Sequence, residues 1–147
     1  MVKTIGVLLI LLVSAGTSQA KEPVSTIGSY SYISNPIKIS TNNAILSIVG
    51  EAEGEGYIGM LAVAHAIRNR GHLRGVYGRT SKRVLKHLYS QSSYNMAMRA
   101  WNDSLTTDDL THGATHWDNI GEFGVPNWSD SMTLTIKIGN HTFYKEK

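Results

Sequence analysis

From Tyr57 to Arg70 the chain has almost no polar break: Ile58, Met60, Leu61, Ala62, Val63, Ala64, Ala66 and Ile67 leave no continuous hydrophilic face. A helix that is apolar nearly all round must be enclosed by the rest of its domain. The remaining elements are therefore constrained to pack about this one. The spacing predicts a helix over 57–70, with Gly71 at the C′ position and Arg68-Asn69-Arg70 as a basic last turn suited to the helix dipole. The 147 residues include no cysteine, which excludes disulfides, thiolate metal sites and cysteine nucleophiles, so packing alone must hold the domain. A net charge of +3 is too mild to point to nucleic acid.

The N-terminus has a different character. Lys3 precedes an unbroken apolar run, Val7 to Val13, and Ser18 and Ala20 supply small residues before a cleavage point. This is the pattern of a secretory signal over residues 1–20, too short in its apolar part for a span of ~20 residues. An exported chain, periplasmic or extracellular and acting at the cell wall, follows from it. Residues 21–41 hold two prolines and many Ser and Tyr without helical period, and read as a linker or loosely packed arm. A single domain is expected over 42–147.

Within that domain, Thr41-Asn42-Asn43 offers caps for a short helix carrying Ala44, Ile45, Ile48 and Val49, which Gly50, Gly54 and Gly56 are expected to break. Ser81 is a candidate cap for a helix over 82–89 with Val84, Leu85 and Leu88 on one face. Tyr94, Ala97, Met98 and Trp101 keep the i, i+3, i+4, i+7 spacing of another. The last third changes period. Met132, Leu134, Ile136 and Ile138 alternate with polar residues as in a strand, Gly139-Asn140 is a two-residue hairpin turn, and His141 to Tyr144 returns. Ala114 to Trp117 is a third candidate strand. Helices first and a small antiparallel sheet near the C-terminus read as α+β.

Several constellations bear on chemistry. Gly54-Glu55-Gly56-Tyr57-Ile58-Gly59 is a literal G-x-G-x-x-G, but no acidic residue lies between Glu55 and Asp103 to hold a ribose. Glu51, Glu53 and Glu55 would also repel a pyrophosphate. As acids the three are of more interest. Crowded carboxylates raise one another's pKa, and Glu51, directly after Ile48-Val49, is the best placed to be a proton donor held against apolar walls. The alternative is that all three are exposed, or that Glu53 and Glu55 cap the next helix. From Gly56 to Asn102 there are eight basic residues and no acidic ones, either a solvated face or a surface for an anionic polymer. His112 and His116 lack the H-E-x-x-H pattern and sit in a strand-like context, so no metal or other cofactor is expected. There is no G-x-S-x-G.

Four blocks in order carry a resemblance: Gly50-Glu51-Ala52 with Gly54-Glu55; Tyr57-x-Gly59-x-x-Ala62-Val63-Ala64 ending in Asn69-Arg70; Asp109-x-Thr111-x-Gly113-Ala114-Thr115-His116-Trp117-x-Asn119; and Pro126-x-Trp128 before Ile138-Gly139-Asn140-His141-x-Phe143-Tyr144. Together they resemble the SleB-type cell-wall hydrolases, the spore-cortex-lytic enzymes and their relatives. The resemblance spans about residues 42–144. It implies a small lysozyme-like, lytic-transglycosylase-like domain, mainly helical in its N-terminal part, acting on peptidoglycan glycan strands. It also implies cleavage between N-acetylmuramic acid and N-acetylglucosamine with a 1,6-anhydro product, and Glu51 as the catalytic acid. Glu53 stands where the family commonly has arginine, and Leu110 where it has proline. On this resemblance Thr115, His116 and Asn119 are candidate hydrogen-bond donors to the sugar, and Trp117 or Tyr144 candidate stacking surfaces. The partner is the glycan strand, with no nucleic acid, membrane contact only through the signal segment, and a monomeric state. Two other functions remain open: a hydrolysing muramidase using Asp118 or Glu122 as second carboxylate, and a non-catalytic wall-binding module.

Overall fold

The computed structural model describes residues 39–147. The signal expected over residues 1–20 and the linker expected over 21–41, as far as residue 38, lie outside the described residues.

The helical half is built around the apolar segment. Helix α1 (Thr41–Ala52) buries Ala44, Ile45, Ile48, Val49 and Ala52, and a 3₁₀ turn (Glu53–Glu55) leads into α2 (Gly56–Arg70). Every residue of α2 from Gly59 to Ile67 is buried, as an all-round apolar helix requires. It ends at Gly71, whose φ of 79° and N–H bond to the Ile67 carbonyl form the expected left-handed cap. A one-turn helix α3 (Lys82–Leu85) and helix α4 (Gln91–Asp103) follow, their N-cap serines Ser81 and Ser90 accepting the amides of Val84 and Ser93.

Two expectations are corrected here. Helix α1 runs through Gly50 to Ala52, so Glu51 stands on its last turn rather than in a loop. Helix α3 stops at Leu85, and the chain takes a positive φ at His87; Val84 alone of its three apolar residues is buried, Leu85 and Leu88 being exposed.

The sheet half has strands β1 (His116–Asp118), β2 (Met132–Ile138) and β3 (His141–Glu146), antiparallel in the order β1-β3-β2. A one-turn helix α5 (Ile120–Phe123) lies between β1 and β2. Central strand β3 is buried from His141 to Tyr144. Strand β2 departs from simple alternation. Leu134 pairs with Tyr144 but Ile136 with Phe143, so Thr135 is an extra residue at a bulge. Side chains before and after it thus fall on opposite faces, which is why Leu134 is exposed while Ile136 and Ile138 pack against the core. Trp117 pairs with Phe143 and shares its face.

Glu55 ties the two halves together. Its carboxylate accepts the Asn140 backbone N–H at 2.9 Å and the Asn140 side-chain amide at 2.8 Å, which pins the β2–β3 turn to the start of α2. Glu55 stands at the N-cap position of α2, but its side chain makes no cap hydrogen bond, and Glu53 pairs with Arg83. The Asn140 amide, against partial burial, holds the Glu55 carboxyl below its ordinary value of 4.5. A depressed folded pKa contributes stability that is present above the unfolded value and lost as pH falls through the folded one. The wild type should therefore lose stability below about pH 4.5, and Glu55→Gln should flatten that dependence while costing about 1–2 kcal/mol at pH 7. Urea unfolding at pH 7 and pH 3 measures both quantities.

Candidate active site

A cleft of about 870 Å³ opens between the end of α1 and the sheet. Glu51, Glu55, Arg70 and the loop residues Gly75, Tyr77 and Gly78 line it from the helical half. His116, Trp117, Asp118, Asn119, Phe123, Trp128 and His141 line it from the other.

The Glu51 carboxylate is bound at both oxygens. Oε1 accepts the backbone N–H groups of Tyr77 at 3.0 Å and Gly78 at 2.6 Å; Oε2 accepts the Trp117 indole N–H at 3.3 Å. The walls expected to be apolar are thus replaced by three oriented donors. The approach of the 77–78 loop to α1 depends on two glycines. A Cβ on Gly50 would fall on the Gly78 carbonyl, and one on Gly78 would fall on the Ser47 carbonyl and stand 2.8 Å from Glu51 Cγ. Backbone meets backbone here, so the amides reach the carboxylate.

The loop before β1 is set by Asp109. Its carboxylate accepts the Thr111 hydroxyl (2.6 Å), the Thr111 and Gly113 amides (2.8 and 2.7 Å) and the Asn69 side-chain amide (2.8 Å). Partial burial pushes the Asp109 carboxyl up, but these donors outweigh it and hold the group below its ordinary range. The loop so anchored delivers His116 and Trp117 to the cleft.

Of the six residues singled out in sequence, Glu51, His116, Trp117 and Asn119 line the cleft together. Thr115 and Tyr144 do not. The Thr115 hydroxyl pairs with His116 Nδ1 at 2.9 Å, and Tyr144, 6 % exposed, packs edge-on against Trp128. Asn119 caps α5, accepting the Glu122 amide, and its own amide donates to the Glu122 carboxylate at 3.0 Å. Burial, and then the Arg70 charge, push His116 below the usual imidazole range, so it is neutral at neutral pH. Burial does the same to His141 against the nearby carboxylates of Glu55, Glu51 and Asp118.

Sequence reasoning missed Tyr77, Gly78, Arg70, Phe123, Trp128 and His141 as cleft residues. Tyr77 and Phe123 are 75 % and 73 % exposed, which leaves aromatic faces free at the cleft for a sugar ring. The unbroken basic stretch is partly paired within the protein. Arg68 lies over the Trp101 ring and bonds Ser104, Arg83 pairs with Glu53, and Arg99 pairs with Asp103.

A family model described as Cell Wall Hydrolase matches residues 54–144, beginning three residues after Glu51. Two solved structures are similar over most of the chain. The catalytic domain of the Bacillus cereus SleB protein is 28% identical, covering 72% of this chain and 91% of that one, with a TM-score of 0.53. The catalytic domain of the germination-specific lytic transglycosylase SleB from Bacillus anthracis is 26% identical, covering 79% and 98%, with a TM-score of 0.55. No curated protein matches the chain.

Proposed function

Because the chain belongs to the cell wall hydrolase family, a family of peptidoglycan-degrading enzymes, we propose that it is a lytic transglycosylase with Glu51 as its one acid and base. On this reading it cleaves the bond from N-acetylmuramic acid to N-acetylglucosamine and leaves a 1,6-anhydro end. The observation that carries it is the asymmetric seating of Glu51. An oxygen that already takes two N–H donors has no place for a proton, so in the acid form the proton sits on Oε2. Oε2 delivers it to the glycosidic oxygen as the C–O bond breaks. The resulting carboxylate then takes the proton of the muramoyl 6-hydroxyl as that oxygen closes on the anomeric carbon, which restores Glu51 and consumes no water. The Tyr77 and Gly78 amides are fixed before the reaction and hold the carboxyl in one orientation through both steps.

Neutral His116 and Asn119 serve as hydrogen-bonding groups to the sugars, and Trp117, Tyr77, Phe123 and Trp128 as stacking faces. With residues 1–20 as an export signal and 21–41 as an arm, the domain from residue 42 onward meets its substrate outside the cytoplasm.

A second reading, a hydrolysing muramidase, is favoured by one observation: Asp118 and Glu122 line the same cleft, and either supplies a second carboxylate. Product analysis decides between them. Digestion of purified peptidoglycan followed by mass spectrometry should give muropeptides lighter by one water than hydrolytic products, with no reducing muramic ends. Reducing ends in their place would establish the hydrolase. No released fragments, with the protein still sedimenting with the wall, would establish a binding module.

A further inference from the structure

Arg70 is the one Lys or Arg that lines the cleft among the described residues. It is drawn from the last turn of α2 into partly buried surroundings, and burial pulls its guanidinium below the usual range although the Glu51 carboxylate favours the charge. Among the described residues, no protein group neutralises it at contact. The ion pairs among the described residues are Arg83–Glu53, Arg99–Asp103 and the long His65–Asp109 contact, none of which involves Arg70. Its Nε is buried without a hydrogen-bond partner. Space for the fork is kept by Gly75, at φ 74°, where a Cβ would stand 3.0 Å from Arg70 Nη2. A guanidinium held in a cleft by packing, with no counter-ion, is a site for a planar anion.

Of the four acidic groups that line the cleft, Asp118 forms no ion pair with Arg70 and the other three are committed elsewhere. Glu55 is bound to Asn140, Glu122 to Asn119, and Glu51 to the two loop amides and the indole. A glycan backbone is itself neutral; the anions of this polymer are carboxylates, either the lactyl group on muramic acid or the free acids of a peptide stem. We propose that Arg70 is the carboxylate receptor of the cleft, so that the enzyme selects muramoyl residues that carry such a group. The proposal rests on the glycan-cleaving function above, and it makes Arg70 a specificity-determining residue beside the acid.

The test measures binding in the Glu51→Gln background, so that it does not depend on turnover. Three ligands are compared by calorimetry: stem-bearing glycan strands, stem-free strands with a free lactyl carboxylate, and stem-free strands with that carboxylate amidated. A charge-assisted fork is worth about 10- to 100-fold in affinity. Stem-free strands should therefore bind at least about tenfold tighter than amidated ones if the lactyl group is the anion. If the anion belongs to the stem, stem-bearing strands alone should show that advantage. In either case Arg70→Gln should bring the ratio to about one, Arg70→Lys should keep part of it, and Arg74→Gln, an exposed cation outside the cleft, should keep all of it. Equal affinity for all three ligands, or a ratio that survives Arg70→Gln, overturns the proposal. Carboxylate-dependent binding through Arg70 by a protein whose wild type releases no fragments would instead overturn the catalytic function and leave the receptor standing.

Discussion

Replacing Glu51 by Gln is expected to lower release of glycan fragments from peptidoglycan by about 10³-fold, with the domain still folded. The amide has the carboxyl group's shape but no proton to give, and it cannot become the base that the second step needs. Its carbonyl can still accept the Tyr77 and Gly78 amides, which keeps the loop in place. Its NH₂ then faces the Trp117 indole N–H, a donor against a donor where the wild type has a 3.3 Å bond. A loss of up to about 1 kcal/mol in stability is therefore expected alongside the loss of rate. Turnover on purified sacculi and a thermal melt separate the two effects. Activity within about tenfold of wild type in a folded Glu51→Gln protein would mean that another group supplies the proton, and Asp118 would be the first to test.

Gly78→Ala should be nearly as damaging without touching an ionisable group. The new methyl would stand 2.8 Å from Glu51 Cγ and from the Glu51 amide nitrogen, and closer to the Ser47 carbonyl, against ordinary contacts of about 3.5 Å or more. None of those neighbours is the free end of a flexible side chain. The loop must retreat, and a shift of about 1 Å takes the 2.6 and 3.0 Å bonds to Glu51 beyond hydrogen-bond length. Overpacking of this kind costs about 1–3 kcal/mol, and displacement of a catalytic group by about 1 Å costs about 10²-fold in rate. Gly50→Ala would meet the Gly78 carbonyl, pressing on the same loop from the α1 side, and should behave alike. Activity measured well below the lowered melting temperature tests the claim; a Gly78→Ala protein with wild-type turnover there would remove the two amides from the mechanism.

What was legible in sequence had a side-chain signature. The apolar run 57–70 announced a central helix, the alternation over 132–138 with Gly139-Asn140 announced the hairpin, and the spacing of the Gly-Glu block brought Glu51 forward. What was illegible was carried by backbone or by long-range contact. The two donors on Glu51 are main-chain amides, which any residue type supplies, and the glycine pair that admits them is separated by 28 positions (Gly50 to Gly78). Glu55 reads as a local helix cap but reaches a turn 85 residues away. Leu134 obeys the strand period and is still exposed, because the bulge at Thr135 is set by pairing with β3 rather than by composition. Arg70 sits in a run of cations whose members face core, cleft and solvent in turn, a difference that net charge averages away.

Because the 77–78 segment grips the acid through its main chain alone, the side chains of that segment are left unassigned to catalysis. Tyr77 presents a ring that is 75 % exposed while its amide holds Glu51, and Thr80 and Ser81 face the same cleft without contacting the carboxylate. Substrate preference and proton transfer are thereby placed on separate parts of one loop. A library varying residues 77, 80 and 81 around an untouched Gly78 is a practical route to enzymes that cut differently decorated walls at undiminished rate.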